Sequence, residues 1–243
     1  MAKNIFERRE MKYLITREKF DSFYSQIAEH LCDDEYKKYT VRNIYYDSPD
    51  YNLIRQSIDK PLYKEKLRLR SYGAPEDDGK VYIEIKKKFD KTVYKRRYPI
   101  SCREAEKILT SGDTSDESQI MREIIHLRDR EELCAKMFVA YERTAFTSPE
   151  FPDLRITLDE NIRYRTYNLK LSSGDEGERL LKDNECVMEI KSSGSMPLWL
   201  CRALSSLLIF SQPFSKIGLC YSKIKNNQEK EETNYAKQYS DIY

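Results

Sequence analysis

The sequence predicts an α+β fold: a closed antiparallel β-barrel of about eight or nine strands with helices packed outside it. Three observations predict it. Period-two segments rich in Tyr, Ile and Val recur along the whole 243-residue chain. Segments with helical spacing are fewer and lie between them. No linker or fixed-period repeat divides the chain, so that many strands must share one sheet, and a sheet of that size curls or closes.

The strand segments are 7–15, 40–47, 62–72, 79–88, 92–99, 136–146, 154–169, 184–192 and 216–222. Residues 17–31 read as a helix, with Phe20, Phe23, Tyr24, Ile27 and Leu31 on one stripe. Ser101 and Glu104 form a capping box ahead of Ala105, Ile108 and Leu109. A further helix spans 118–134, through Ile120, Met121, Ile124, Ile125 and Leu133. Residues 197–210 open on Pro197 and carry Leu200, Leu204, Leu207 and Leu208. That helix either packs outside or closes one end of the barrel. Loops fall at 47–50, 73–79, 111–116 and 172–177. Residues 1–224 form one domain, and the polar stretch 225–243 is a frayed helix or a disordered tail.

Composition excludes several classes. The 43 basic and 41 acidic residues give a net charge of +2, which argues against a generic nucleic-acid binder. No apolar run approaches a membrane span, and the N-terminus lacks a secretory h-region. Cys32, Cys102, Cys134, Cys186, Cys201 and Cys220 have no zinc-type spacing and are read as reduced, mostly buried thiols of a cytoplasmic protein. The two histidines, His30 and His126, supply imidazole chemistry poorly.

The charges are informative in their placement. Successive strand residues point to opposite faces. Lys66, Arg68 and Arg70 alternate with Leu67 and Leu69; Glu84 and Lys86 with Ile83 and Ile85; Arg155, Thr157 and Asp159 with Ile156 and Leu158; Glu189 and Lys191 with Met188 and Ile190. Glu10 and Lys12 flank Met11, and Arg143 shares a face with Tyr141. Any one of these strands could be half solvated. Taken together in a closing sheet, they line an interior with cations. Such a lining requires carboxylate partners, water or a polyanion, since an unpartnered buried charge costs several kcal/mol. The guanidinium fork suits phosphate oxygens.

These segments resemble the VTC domain, the polyphosphate polymerase domain of the triphosphate tunnel metalloenzyme superfamily, in its stand-alone bacterial form. The resemblance covers about residues 5–225 and rests on several motifs in order: REMKY at 9–13, VRNIYYD at 41–47, LRLRSYG at 67–73, YIEIKK at 82–87, VYKRR at 93–97, YERTAF at 141–146, LRITLD at 154–159, MEIK at 188–191 and FSK at 214–216. It implies a triphosphate tunnel in which Lys12, Arg68, Arg70, Lys86, Lys95, Arg143, Arg155, Lys191, Ser215 and Lys216 bind phosphate. Lys12, Arg68, Arg70, Lys86, Arg143 and Lys191 would be catalytic, and Glu189 would hold Mn²⁺ or Mg²⁺. Arg96 or Arg97 could stand in Lys95's place. The wider superfamily's Glu-x-Glu-x-Lys signature is incomplete: Arg8 stands where the first acid would be. That departure disfavours a two-metal triphosphatase and is compatible with the VTC branch.

The implied activity is an ATP-dependent phosphotransfer onto inorganic polyphosphate, with ATP and polyphosphate as partners, no nucleic acid, and a membrane-protein partner left open. A triphosphate or nucleoside triphosphate hydrolase of the same fold and a non-catalytic polyphosphate-binding module use the same cations. Glu84 and Glu142 are either helpers at the metal or ion-pair partners holding Lys86 or Arg143. Asp159 is expected to orient Arg155.

Overall fold

The computed structural model of the chain describes residues 8–240, except 60 and 91; the side chains of residues 8, 9, 36 and 230–240 are also not described. Nine strands form one antiparallel sheet: β1 (Arg8–Thr16), β2 (Cys32–Asp47), β3 (Tyr63–Tyr72), β4 (Lys80–Phe89), β5 (Thr92–Ser101), β6 (Cys134–Thr147), β7 (Arg155–Arg165), β8 (Glu178–Arg179) and β9 (Glu185–Ser193). Their order is β1-β9-β7-β6-β2-β3-β4-β5, with β8 pairing β7. The helices are α1 (Arg17–Ile27), α2 (Asn52–Ile58), α3 (Cys102–Ser111), α4 (Gln119–Arg130), α5 (Leu198–Ser206) and α6 (Lys216–Ser240).

The expected α+β barrel architecture is present, although its backbone ladder has two ends, β1 and β5. Side chains bring the ends together: Lys86 of β4 reaches 3.9 Å from Glu10 of β1. The outer face is apolar and carries four helices. Leu67, Leu69, Ile83 and Ile85 pack under Ala105 and Leu109 of α3 and Met121 and Ile124 of α4. Ile15, Ile156, Met188 and Ile190 pack under Phe20 and Phe23 of α1 and Leu200 and Leu204 of α5. Each buried Leu, Ile or Phe contributes about 1.5–3 kcal/mol, so these two layers fix which face of every strand turns inward.

The inner face has two halves. One is charged. The other is apolar, with Val41, Met137, Val139, Ile162, Tyr164 and Val187 packed against Ile217 and Cys220 of α6. Residues 216–222, expected as a strand, are therefore the first turns of a helix. Ile217, Cys220 and Ile224 fall at i, i+3 and i+7. Ser215 starts the helix: its hydroxyl accepts the Gly218 amide at 3.2 Å and its carbonyl the Leu219 amide at 2.9 Å. Helix α6, rather than the 197–210 segment, fills one end of the tunnel, and α5 packs outside against α1. The helix continues across the expected boundary at 225 to Ser240; residues 241–243 lie outside the described residues.

A bulge divides the two halves on β7. The β6–β7 register shifts between Ala140 and Glu142, and Asn161 has a left-handed φ of 49°. The extra residue reverses the alternation. Before it, Thr157 and Asp159 face inward; after it, Ile162 and Tyr164 do. The expected helices are otherwise found within a few residues, while α2 was not foreseen. Asp47 builds it, accepting the Leu53 and Ile54 amides at 2.8 and 2.9 Å. The six cysteines are free; Cys102, Cys186 and Cys220 are buried, but Cys32 and Cys134 are exposed, so the expectation of mostly buried thiols holds for half of them.

If α6 seals the tunnel end through its apolar face, Ile217→Ala should lower unfolding free energy by about 2–5 kcal/mol. Urea denaturation followed by circular dichroism measures this.

Candidate active site: a cation-lined tunnel

The charged half is built by cross-strand register. Lys66, Lys86 and Lys95 lie opposite one another on β3, β4 and β5, and Arg68, Glu84 and Arg97 form the next rung. Asn43 of β2 faces Arg70, and Tyr45 faces Arg68. Across the tunnel, Arg143 pairs Asp159, Thr157 pairs Glu189, and Lys12 pairs Glu189. Tunnel-facing cations among the described residues are Lys12, Lys66, Arg68, Arg70, Lys86, Lys95, Arg97, Arg143, Lys191 and Lys216. Four carboxylates face them: Glu10, Glu84, Asp159 and Glu189.

Three carboxylates organise the cations. Glu84 has a side chain only 1% exposed and accepts Arg68 Nε at 2.7 Å, Arg97 Nε at 2.6 Å and Lys95 Nζ at 2.9 Å, with Arg70 Nε 3.9 Å away. Burial alone would raise its pKa, but these cations hold it far below the usual carboxylate range. Asp159, fully buried, accepts Arg143 in bidentate fashion at 2.6 and 2.8 Å and Lys216 Nζ at 2.5 Å. It too is held well below the usual range against its burial. Glu189 accepts Lys191 Nζ at 2.6 Å; burial opposes its ionisation, yet Lys191 and Lys12 bring its pKa down to about 2.

Neutral groups hold several of the cations as well. Arg70 donates to Asn43 Oδ1 at 2.8 Å and the Tyr141 hydroxyl at 3.2 Å, and Arg68 donates to the Tyr45 hydroxyl at 3.3 Å. Lys12 donates to the Phe214 carbonyl at 3.2 Å. Lys66 Nζ lies 3.4 Å from the Ser215 hydroxyl. Two lysines are held against their own charge. Burial pulls Lys66 down to about 8, with Lys64, Lys86 and Lys12 adding repulsion, and burial pulls Lys95 to about 8 although Glu84 partly compensates. Lys86 is lowered for the same reason.

Of the expected phosphate-binding residues, Lys12, Arg68, Arg70, Lys86, Lys95, Arg143, Lys191, Ser215 and Lys216 come together here. Arg155 stands at the rim, donating to Asp34 at 2.6 Å, and Asp159 orients Arg143 and Lys216 instead of Arg155 because Arg143 lies directly opposite it on β6 and Lys216 reaches it from the start of α6. Glu84 holds Arg68, Arg97 and Lys95, not Lys86. Glu142 lies outside, accepting Asn161 at 2.9 Å and facing Lys38 at 3.4 Å. Lys66 and Arg97 are additions to the expected set. Their alternation with Arg68 and Lys95 was readable, but the run from Lys95 to Arg97 offers no apolar contrast to mark its faces.

Glu189 fits the expected metal role in part. Its ionised carboxylate faces the tunnel, and Lys191 engages one oxygen. Glu10 lies on the neighbouring strand, 3.3 Å from Lys12 and 3.9 Å from Lys86. No cluster of three or more His, Cys, Asp or Glu side chains that could cage an ion occurs among the described residues. The set suits a hard divalent ion that takes most of its ligands from phosphate and water.

With this geometry in view, the family match is specific: the model of the VTC domain matches residues 7–225. The chain belongs to the VTC domain family. Among solved structures, a Bacillus halodurans protein provisionally named an adenylate cyclase aligns with TM-score 0.54 and 18% identity, over 88% of this chain and 96% of that one. A Vibrio parahaemolyticus protein with the same provisional name aligns at TM-score 0.49 and 13% identity, over 90% and 99% of the two chains. At 18% identity the first likeness concerns the fold alone. No curated protein matches the sequence significantly. No helix among the described residues of this VTC domain is long and apolar enough to cross a membrane.

A polyanion needs Lys66 and Lys95 charged, and in the free protein both lose their protons near pH 8. Affinity for inorganic tripolyphosphate should therefore weaken as pH rises from 7 to 9.5, and binding at pH 8 should take up protons. Calorimetry in buffers of different ionisation enthalpy checks both, and Lys66→Met should flatten the profile.

Proposed function

We propose that this VTC domain is a cytoplasmic, ATP-dependent polyphosphate polymerase. The observation that carries the reading is the state of the tunnel carboxylates. Glu84, Asp159, Glu189 and Glu10 are each engaged by at least one cation. None of the four is thereby set aside to orient a hydrolytic water, whereas the cations that share their surface outnumber them.

The transfer needs little covalent help from the protein. A terminal phosphate oxygen of the acceptor chain, already largely ionised near neutral pH, attacks the γ-phosphorus of ATP. The new P–O bond forms as the bond between that phosphorus and the β–γ bridging oxygen breaks. ADP leaves with the electron pair, and the chain grows by one phosphate. Catalysis of this kind rests on positioning and charge neutralisation. Arg68 and Arg70, fixed by Glu84, Asn43 and Tyr141, would hold one stretch of phosphates, and Arg143, Lys191 and Lys216 the opposite side. No imidazole is required: His30 stacks on Trp199 beside α1, and His126 is exposed on α4. A divalent ion, Mn²⁺ or Mg²⁺, would be held by Glu189 with Glu10 nearby and would neutralise phosphate charge.

Purified protein incubated with ATP and Mn²⁺ or Mg²⁺ should yield ADP and long phosphate chains, resolved by gel electrophoresis. ADP with free phosphate alone would mean hydrolysis, and tight polyphosphate binding without turnover would mean a binding module. Glu189→Gln should abolish metal-dependent turnover while largely sparing polyphosphate binding.

Polyphosphate affinity should also fall steeply with salt, because each neutralised phosphate releases counterions. Titrations between 50 and 300 mM NaCl would show it, and a flat dependence would contradict a cation-lined tunnel.

A further inference from the structure

One mouth of the tunnel is aromatic. Tyr39 of β2, Tyr72 of β3 and Tyr82 of β4 all lie on the inner face, next to the arginine rungs. Tyr72 meets Tyr39 edge-on, with centroids 5.6 Å apart, and Tyr82 edge-on at 5.8 Å. Arg97 ties this group to the cation cluster. Its guanidinium sits 4.6 Å from the Tyr82 centroid and donates to the Tyr72 hydroxyl at 2.8 Å, while its Nε binds Glu84. Arg143 and Arg155 are close enough to Tyr39 to bear on its titration. Neither Tyr72 nor Tyr82 belongs to a hydrophobic core cluster. Tyr72 is 44% exposed, although it ends a strand whose other inward side chains are half-buried or buried.

Phosphate binding gives no reason for this arrangement. Phosphates want donors, and three phenol rings offer few; the one guanidinium among them, Arg97, lies 4.6 Å from the Tyr82 centroid and 5.8 Å from that of Tyr72. A half-exposed ring held edge-on from two sides, with its hydroxyl pinned, is a rigid stacking platform. Its neighbour along the strand on the same face is Arg70, two residues and about 7 Å away. A planar heterocycle on Tyr72 would thus place an attached phosphate chain among Arg70, Arg97 and Arg68.

We propose that Tyr72, braced by Tyr39 and Tyr82, is the platform on which the base of a nucleoside triphosphate stacks, so that the nucleotide enters the tunnel phosphates first from this mouth. This rests on reading the tunnel as a triphosphate site and adds which end takes the nucleotide and which residues hold it. Stacking reads the face of a base and not its edge, so purine triphosphates should bind alike.

The test compares ligands with and without a base. Isothermal titration of the full chain with ATP, GTP and inorganic tripolyphosphate would be run on wild type, Tyr72→Ala and Tyr72→Phe, with thermal melting to confirm folding. Loss of one stacked base predicts that Tyr72→Ala weakens ATP and GTP about tenfold, leaves tripolyphosphate within twofold, and is largely rescued in Tyr72→Phe. Equal weakening of ATP and tripolyphosphate would overturn the platform, since the ring would then only position Arg97. Unchanged ATP binding would overturn it as well. If wild type failed to bind tripolyphosphate at all, the triphosphate reading itself would fall, and the base platform with it.

Discussion

The structure depends on holding like charges together without losing the fold. Ten cations share one concave surface with four carboxylates, and three of those carboxylates are buried. An isolated cation–anion contact at 4 Å is worth about 4 kcal/mol at an effective dielectric near 20, which does not by itself offset the desolvation of both partners. The outer layers supply what the charges lack. Ile83 and Ile85 alternate with Glu84, and Leu67 and Leu69 with Arg68, so each strand that carries a charged side chain inward is anchored by apolar packing on its other face. Removing a carboxylate would therefore strain the cluster it holds, while a bound polyanion would complete it. Lys66, Lys86 and Lys95, all with lowered pKa values, are the groups with most to gain.

The same face also has to end the tunnel, and a single residue makes that possible. With strict alternation along β7, Ile162 and Tyr164 would face outward once Asp159 faced inward. The left-handed Asn161 inserts one residue and turns both toward α6. Asparagine tolerates this conformation better than most residues. The helix returns the favour at its own start. Lys216 enters the Asp159 cluster, Ser215 meets Lys66, and the Phe214 carbonyl takes Lys12. The C-terminal helix thus seals the apolar half and completes the cation cluster together, with Ile217 and Lys216, neighbours in sequence, serving different halves of the inner face.

Much of this was legible because a strand displays its two faces as a period of two. Lys66-Leu67-Arg68-Leu69-Arg70 and Ile83-Glu84-Ile85-Lys86 state outright which side chains share a surface. What escaped was whatever breaks or blurs that period. Residues 216–222, Lys-Ile-Gly-Leu-Cys-Tyr-Ser, alternate loosely and read as a strand; the deciding signals, Ser215 as cap and Ile224 one turn further on, lie outside the segment. The Asn161 bulge has no glycine to announce it. Lys95-Arg96-Arg97 is basic on both faces. Pairings were the least legible: Asp159 could be placed on the correct face, but its choice of Arg143 and Lys216 over Arg155 depends on the β6–β7 register and on where α6 begins. The resemblance to the VTC family supplied the expectation of function that alternation alone left open.

The net charge of +2 conceals how the charge is divided. Setting aside the ten tunnel cations and four tunnel carboxylates from totals of 43 and 41 leaves 33 bases against 37 acids for the rest of the chain. By formal charge the remainder of the chain is acidic and the tunnel set basic. A duplex nucleic acid needs an open positive surface of many phosphate contacts, and the formal charge outside the tunnel set supplies no net positive excess. Low-dielectric walls strengthen the field that the clustered cations set up inside. The Debye length of about 8 Å at physiological ionic strength limits that attraction to the immediate mouth. The attraction is therefore felt only by an anion already at the entrance, where Tyr39, Tyr72 and Tyr82 meet edge-on beside Arg97.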